Sequence, residues 1–147
     1  MQERCSSKRT GCDGGSSRAA SPGNAARLGG GASFFCGGGT VKYLLVINTN
    51  EAETVWNALR FGATILSRGH AASLFLLGPA VEIERIQDER FDVQKALLRF
   101  DELGGSALSC GTCLRSRQME AAAVCPLSTM DDLARLTEEA DRVLTFG

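Results

Sequence analysis

The sequence predicts an α/β fold: a three-layer α/β/α domain built on a mainly parallel five-stranded sheet. Apolar, β-rich runs alternate with amphipathic helical patterns from residue 41 to residue 147. Two of these runs are apolar along almost their whole length, which is typical of strands buried on both faces. The resulting order β-α-β-α-β-(α)-β-α-β therefore predicts a parallel sheet with helices on both faces.

The first strand is predicted at Val41–Ile47 and is followed by the polar residue Asn48. We expect Thr49 or Asn50 to cap the next helix, because either side chain can accept a hydrogen bond from the first free N–H groups of a helix. In that helix, apolar residues recur at helical spacing: Ala52, Val55, Trp56, Leu59, Ala63 and Leu66.

The second strand is predicted at Ala71–Leu77 and ends at Gly78-Pro79. A loop or short helix over 80–87 leads to another amphipathic helix, with Asp88 or Asp92 available near its start. One face of this helix carries Phe91, Val93, Ala96, Leu97, Phe100 and Leu103.

The rest of the chain predicts three further strands. A short buried strand is expected at Ser106–Ser109, and a fourth strand around Ala123-Val124-Cys125. The stretch Ser128–Asp131 fits a capping box for a helix that runs to Ala140. The last strand is predicted at Arg142–Phe146.

Residues 1–40 differ from the rest of the chain in composition. They hold ten of the seventeen glycines and very few aliphatic side chains, so they cannot bury enough apolar surface to offset the entropy of ordering. We expect a disordered Gly/Ser/Arg-rich tail; a targeting segment is the second interpretation, because Arg and Ser are frequent and acids are sparse. Three of the six cysteines, Cys5, Cys12 and Cys36, lie in this tail and are assigned no role.

The charge distribution limits the choice of partners. Residues 1–40 carry five basic and two acidic side chains, a net charge of +3, whereas residues 41–147 carry eleven and fifteen, a net charge of −4. A mildly acidic domain disfavours nucleic acid, which requires a basic face. No apolar run is long enough to cross a bilayer, so no membrane partner is expected.

The cysteines outside the tail are expected to be reactive thiols in a reducing, cytoplasmic location, because no hydrophobic signal segment precedes them. No cofactor is expected. The glycine-rich tail precedes the first strand, whereas the glycines that cradle a nucleotide's phosphates must follow a strand and open a helix.

A Cys-x-x-Cys motif organises the domain. Cys110 is expected at the carboxyl end of the third strand and Cys113 in the first turn of the next helix. Ligands of open α/β sheets bind beyond the carboxyl ends of the strands, so we expect both thiols at a reachable edge. The N–H groups of a helix start, with Arg115 and Arg117 nearby, favour the thiolate and lower a cysteine pKa from its free value of about 8.5.

Each of these residues also has a structural interpretation. Cys110 could be an inert core cysteine, and Cys113 could either resolve a disulfide at Cys110 or simply pack beneath the helix. His70 is interpreted as a surface cap rather than a base, and Cys125 as a buried cysteine. Together these four side chains could supply zinc ligands, but the second paired-ligand motif of a structural zinc site is missing, so no metal is expected.

The motif and its setting resemble a known family. Cys110–Arg117, preceded by Gly69-His70 and Leu74–Gly78 and followed by Ser128–Leu133 and Ala140–Phe146, is similar to the DsrE/DsrF-like (YchN-like, TusD-like) sulfur-relay family. The likeness covers about 41–147 and excludes the tail.

The resemblance implies a small three-layer α/β protein, in homo-oligomers or in hetero-oligomers with paralogues. It implies that the cysteine after the third strand, here Cys110, accepts sulfane sulfur as a persulfide from a donor protein and passes it to an acceptor thiol. Cys113 matches a position that is cysteine in only some members. In this hypothesis the amides of Gly111 and Thr112, with Arg115, stabilise the anionic sulfur. The alternatives are a thiol-disulfide redox protein and a non-catalytic interaction module.

Overall fold

The computed structural model describes residues 39–121 and 123–147. Five strands form one sheet in the order β4-β3-β2-β1-β5, and every strand pair is parallel. The strands are β1 Lys42–Ile47, β2 Ala71–Leu76, β3 Ser106–Cys110, β4 Leu127–Ser128 and β5 Arg142–Phe146. The helices are α1 Ala52–Ser67, α2 Val93–Glu102, α3 Gly111–Ser116 and α4 Met130–Glu139, with a 3₁₀ helix at Gly78–Arg85 between β2 and α2. The predicted α/β class and parallel five-stranded sheet are confirmed.

The two faces of the sheet are covered differently. Alternate side chains such as Leu45 and Leu74 pack under α1 and α2 in the larger core cluster. The neighbouring residues Leu44, Phe75 and Cys110 form a second buried cluster on the other face. Helix α4 crosses this second face, because it connects β4 at one edge of the sheet to β5 at the other. None of the ten residues of α4 is fully buried, so its packing on the second face is shallow.

The predicted cap of α1 is wrong by one or two residues. Glu51 is the N-cap, and its carboxylate accepts hydrogen bonds from the N–H groups of Glu53 and Thr54 at 3.0 and 2.6 Å. Thr49 instead accepts from the N–H of Glu51 at 3.1 Å. A carboxylate has an advantage over a hydroxyl here, because its charge interacts favourably with the positive end of the helix.

The fourth strand also differs from the prediction. It lies at Leu127–Ser128 instead of around Ala123-Val124-Cys125. Pro126 has no N–H to donate, and its carbonyl accepts from the N–H of Ser109 at 2.9 Å, so the ladder with β3 starts at this residue and not earlier.

The predicted capping box at the start of α4 is present, but it begins one residue later than expected. The side chain of Thr129 accepts from the N–H of Asp132 at 3.2 Å, and the carboxylate of Asp132 accepts from the N–H of Thr129 at 3.0 Å. Ser128 also donates to Asp132, at 2.9 Å. The Thr129 hydroxyl donates to the same carboxylate at 2.8 Å, and these three donors, together with Arg135, hold the pKa of Asp132 at about 2.

Two sequence-based predictions concern parts of the chain that are not described. The expected disorder of the tail and the three tail cysteines fall within residues 1–38. Within 39–121 and 123–147, no helix combines the length and the apolar character that crossing a bilayer requires.

Candidate functional site

The candidate site is the junction between β3 and α3. Cys110 is the last residue of β3 and the N-cap of α3, with extended backbone angles of φ −60° and ψ 113°. Cys113 lies in the first turn of α3, so the two cysteines occupy the positions expected from the sequence. Residues three apart at a helix start are neighbours, which brings the two thiols side by side.

The surroundings of Cys110 favour its thiolate. Burial acts to raise the pKa of this thiol, but the N–H groups of Cys113 and Thr112 and the thiol of Cys113 stabilise the anion more strongly. Arg115 adds a smaller electrostatic contribution of the same sign. The net result is a lowered pKa, because the free N–H groups of the helix start replace the water that burial removed.

The pKa of the Cys113 thiol is shifted in the opposite direction. Burial raises the pKa of its thiol, and although the N–H of Gly78 donates to its Sγ at 3.2 Å, the neighbouring Cys110 raises the pKa further. In the pair, Cys110 therefore carries the charge and Cys113 the proton. Cys113 packs against the buried cluster that contains Cys110, so the two cysteines are neighbours on one face of the sheet.

The expectation of an exposed thiol at the sheet edge is not met. Cys110 is only 1% exposed, whereas Cys113 is half-buried. Cys110 faces the second side of the sheet beside Phe75, it pairs with Ser128 of β4, and α4 crosses over the same cluster. Cys110 therefore lies at the carboxyl end of its strand, as expected, but helix α4 covers its thiol.

The two arginines of α3 have different surroundings. Arg115 is exposed and donates to the hydroxyl of Thr112 at 3.2 Å. Arg117 is half-buried; it forms an ion pair with Glu82 at 3.3 Å and donates to the carbonyl of Cys113 at 3.3 Å. Arg117 thus ties α3 to the 3₁₀ helix, and its predicted role in binding an anion competes with this internal pairing.

Two residues of the site were missed by the sequence analysis. Gly78 was interpreted only as the end of a strand, yet its N–H contacts the Cys113 sulfur, and its φ of +50° together with the side chain of Asn48 leaves no room for a Cβ. Glu82 was assigned no role, yet it bridges Arg117 and the amide of Asn50, the latter at 3.1 Å. For Gly78, the available signal in the sequence was a glycine directly after a predicted buried strand. For Glu82 the sequence offered no signal.

The remaining candidate ligands lie elsewhere. Cys125 is buried in the larger core cluster, on the face opposite Cys110. His70 precedes β2 at the amino edge of the sheet, where its Nδ1 accepts from the N–H of Val41 at 3.4 Å. The arrangement of four zinc ligands considered from the sequence is therefore not formed. Among the residues that the structure describes, no group of three or more His, Cys, Asp and Glu side chains is placed to hold a metal.

Comparison with known proteins agrees with the resemblance noted in the sequence. The model of the DsrE/DsrF-like family matches residues 41–146. The uncharacterized protein MJ0989 of Methanocaldococcus jannaschii is 31% identical over 100 residues, which cover 64% of this chain and 88% of that protein. The solved structure of a conserved protein of unknown function, BT1422 from Bacteroides thetaiotaomicron, aligns with a TM-score of 0.58 at 18% identity, covering 71% of this chain and 93% of that one. At this identity the structural likeness concerns the fold.

Proposed function

The chain belongs to the DsrE/DsrF-like family, which is generally related to sulfur relay, and on that premise we propose that it is a sulfur carrier that holds sulfane sulfur as a persulfide on Cys110. The observation that carries the proposal is the lowered pKa of Cys110 at the start of α3. A thiolate is the nucleophile in sulfur exchange, and here the N–H groups of Cys113 and Thr112 stabilise it.

The transfer needs no external oxidant. The Cys110 thiolate attacks the outer sulfur of a donor persulfide; a new S–S bond forms at Cys110, and the donor's S–S bond breaks to release its thiolate. In the second half of the relay, an acceptor thiolate attacks the same outer sulfur and Cys110 leaves as a thiolate. The number of S–S bonds is unchanged in each half.

The start of α3 also suits the loaded state. The persulfide is an anion, and the N–H groups of Thr112 and Cys113 with Arg115 stabilise a negative charge at this point of the fold. In this proposal Gly111 lets the Leu127 side chain pack close to the start of α3, since a Cβ at this position would stand 3.0 Å from that side chain.

Loading requires the side chains over Cys110 to move, because the thiol is 1% exposed. The covering face is suited to such movement, because α4 has no fully buried residue. We propose that a donor protein reaches Cys110 from this face, and that the acceptor protein does so in turn.

The same face is where we place contacts with further subunits, of this chain or of a paralogue. Large apolar side chains are exposed around it, namely Met130 at the start of α4 and Val143, which pairs with Leu44 of the second cluster. The proposed setting is the cytoplasm, where thiols stay reduced. The proposal includes neither nucleic acid nor a membrane as a partner.

Mass spectrometry of the tryptic peptide 100–115, after anaerobic treatment with a small-molecule persulfide, tests the proposal. The wild-type peptide should gain one sulfur atom, and the Cys110→Ser peptide should gain none even though Cys113 remains in it. Cys125→Ala is the matched control for a buried cysteine outside the site and should load like the wild type. Equal loading of the wild type and Cys110→Ser would reject the relay.

A second candidate function, thiol-disulfide exchange, is favoured by the placement of both cysteines on one turn at the start of α3. It predicts that the reduced protein turns over a disulfide substrate such as insulin and that Cys113→Ser abolishes turnover. The sulfur carrier predicts no such turnover, so this assay separates the two functions.

A further inference from the structure

We propose that Cys113 resolves the persulfide on Cys110, releasing the carried sulfur as hydrosulfide and leaving a Cys110–Cys113 disulfide when no acceptor thiol arrives. This inference rests on the proposed sulfur-carrier function. It assigns Cys113 a catalytic role, since in this step its sulfur attacks the reacting sulfur atom. The family match alone assigns no such role to this residue.

The geometry points to the inner sulfur of the persulfide as the target. Cys113 lies in the first turn of α3 and packs against the buried cluster that contains Cys110, whose Sγ becomes the inner sulfur after loading. The N–H of Gly78, at 3.2 Å from Cys113 Sγ, and the bond from Arg117 to the Cys113 carbonyl, at 3.3 Å, hold the residue in this position. An N-cap cysteine and the cysteine three residues later are neighbours on one turn, which is a placement that allows a disulfide.

Loading changes the charges that Cys113 experiences. In the unloaded site, burial and the Cys110 thiolate oppose ionisation of Cys113. Once sulfur is bound, the negative charge moves one atom outward, to the terminal sulfur of the persulfide. The repulsion by which the Cys110 charge raises the pKa of Cys113 then weakens. The N–H of Gly78 and the charge of Arg117 continue to favour a Cys113 thiolate. Loading itself thus activates the second cysteine.

The step balances without a further reagent. A bond forms between Cys113 Sγ and Cys110 Sγ, the bond from Cys110 Sγ to the outer sulfur breaks, and its electron pair leaves with that sulfur. The proton of the Cys113 thiol goes to the departing sulfur, so hydrosulfide is released. The outer sulfur is reduced, the two cysteines are oxidised to a disulfide, and a thiol reductant returns the protein to its starting state.

The test compares full-length wild-type protein with Cys113→Ser after anaerobic loading with a small-molecule persulfide and removal of excess donor. Serine keeps a hydroxyl that can donate to Cys110 but cannot form a disulfide, and Cys113→Ala provides a second variant without the donor. In the wild type we expect the added sulfur on peptide 100–115 to be lost at least about tenfold faster than in either variant. The loss should be accompanied by one hydrosulfide per protein and by a peptide two hydrogen atoms lighter.

The outcomes separate the two proposals. If Cys113→Ser loads and the wild type keeps its persulfide equally long without releasing hydrosulfide, the resolving role is overturned and the carrier function stands. If no protein gains sulfur on this peptide, the carrier function fails and the resolving role fails with it. If Cys113→Ser loses the added sulfur as fast as the wild type does, the loss does not need a Cys110–Cys113 disulfide and the resolving role is overturned.

Discussion

Cys110 and Cys125 are buried to the same extent, each 1% exposed, yet the pKa of the first thiol is lowered and that of the second is raised to about 12. Cys110 ends β3 and meets the free N–H groups of α3 on the face crossed by α4. Cys125 belongs to the larger core cluster on the opposite face, where its burial comes with the negative charges of Glu84 and Asp101.

The comparison teaches that burial alone does not decide whether a cysteine is reactive. Removing water destabilises any thiolate, and the sign of the final shift depends on what replaces the water. Backbone N–H groups at a helix start replace it for Cys110. Cys125 lies among apolar side chains instead, and two carboxylates add a further cost. The three predictions that follow test this contrast, from the largest expected effect to the smallest.

Alkylation by iodoacetamide at neutral pH should show the largest difference. With a pKa of about 12, the thiolate fraction of Cys125 at pH 7 is on the order of 10⁻⁵, whereas Cys110 ionises below its ordinary range. We expect Cys110 to react at least about a hundredfold faster than Cys125, as read from the labelled peptides of folded Cys113→Ser protein, where each peptide holds one thiol. Labelling of both cysteines only upon unfolding would show that Cys110 is sealed, and the contrast would fail.

Stability at alkaline pH should be the second effect. Up to about pH 9, Cys125 keeps its proton in both the folded and the unfolded chain; from pH 9 towards 12 only the unfolded chain ionises. The raised pKa of Cys125 therefore contributes to the free energy of unfolding below about pH 9, and this contribution is lost as the pH rises towards 12. We expect the wild type to lose about 2 kcal/mol more free energy of unfolding than Cys125→Ala between about pH 9 and about pH 10.5. Urea denaturation of both proteins measures the difference; parallel pH profiles would contradict it.

The smallest effect concerns Arg115, whose charge is the weakest of the contributions to the Cys110 thiolate. Arg115→Gln should raise the pKa of Cys110 only slightly, because the arginine is exposed and screened by solvent. The pH dependence of the alkylation rate at Cys110 reports this pKa. High salt should remove most of the difference between the two proteins, and a shift that persists in high salt would point to a structural change at α3 instead.

Much of the architecture could be predicted from local patterns. The nearly continuous apolar runs of β1 and β2 and the helical spacing in α1 and α2 predicted a parallel sheet, because a strand buried on both faces has no polar side. Predictions failed where local signals compete. Thr49, Asn50 and Glu51 can each cap a helix, and only the path of the chain out of β1 selects Glu51.

The sequence by itself determined the order of strands and helices, the family, and the placement of Cys110 and Cys113 on either side of a helix start, since these depend on residues close together along the chain. Only the tertiary structure decided what surrounds each sulfur. The N–H of Gly78, which starts the 3₁₀ helix 35 residues before Cys113 along the chain, donates to the Cys113 sulfur. Helix α4 crosses the face that holds Cys110, and Cys125 is buried on the opposite face. A thiol's pKa and access depend on groups within a few ångströms, and the sheet brings those groups together from distant parts of the chain.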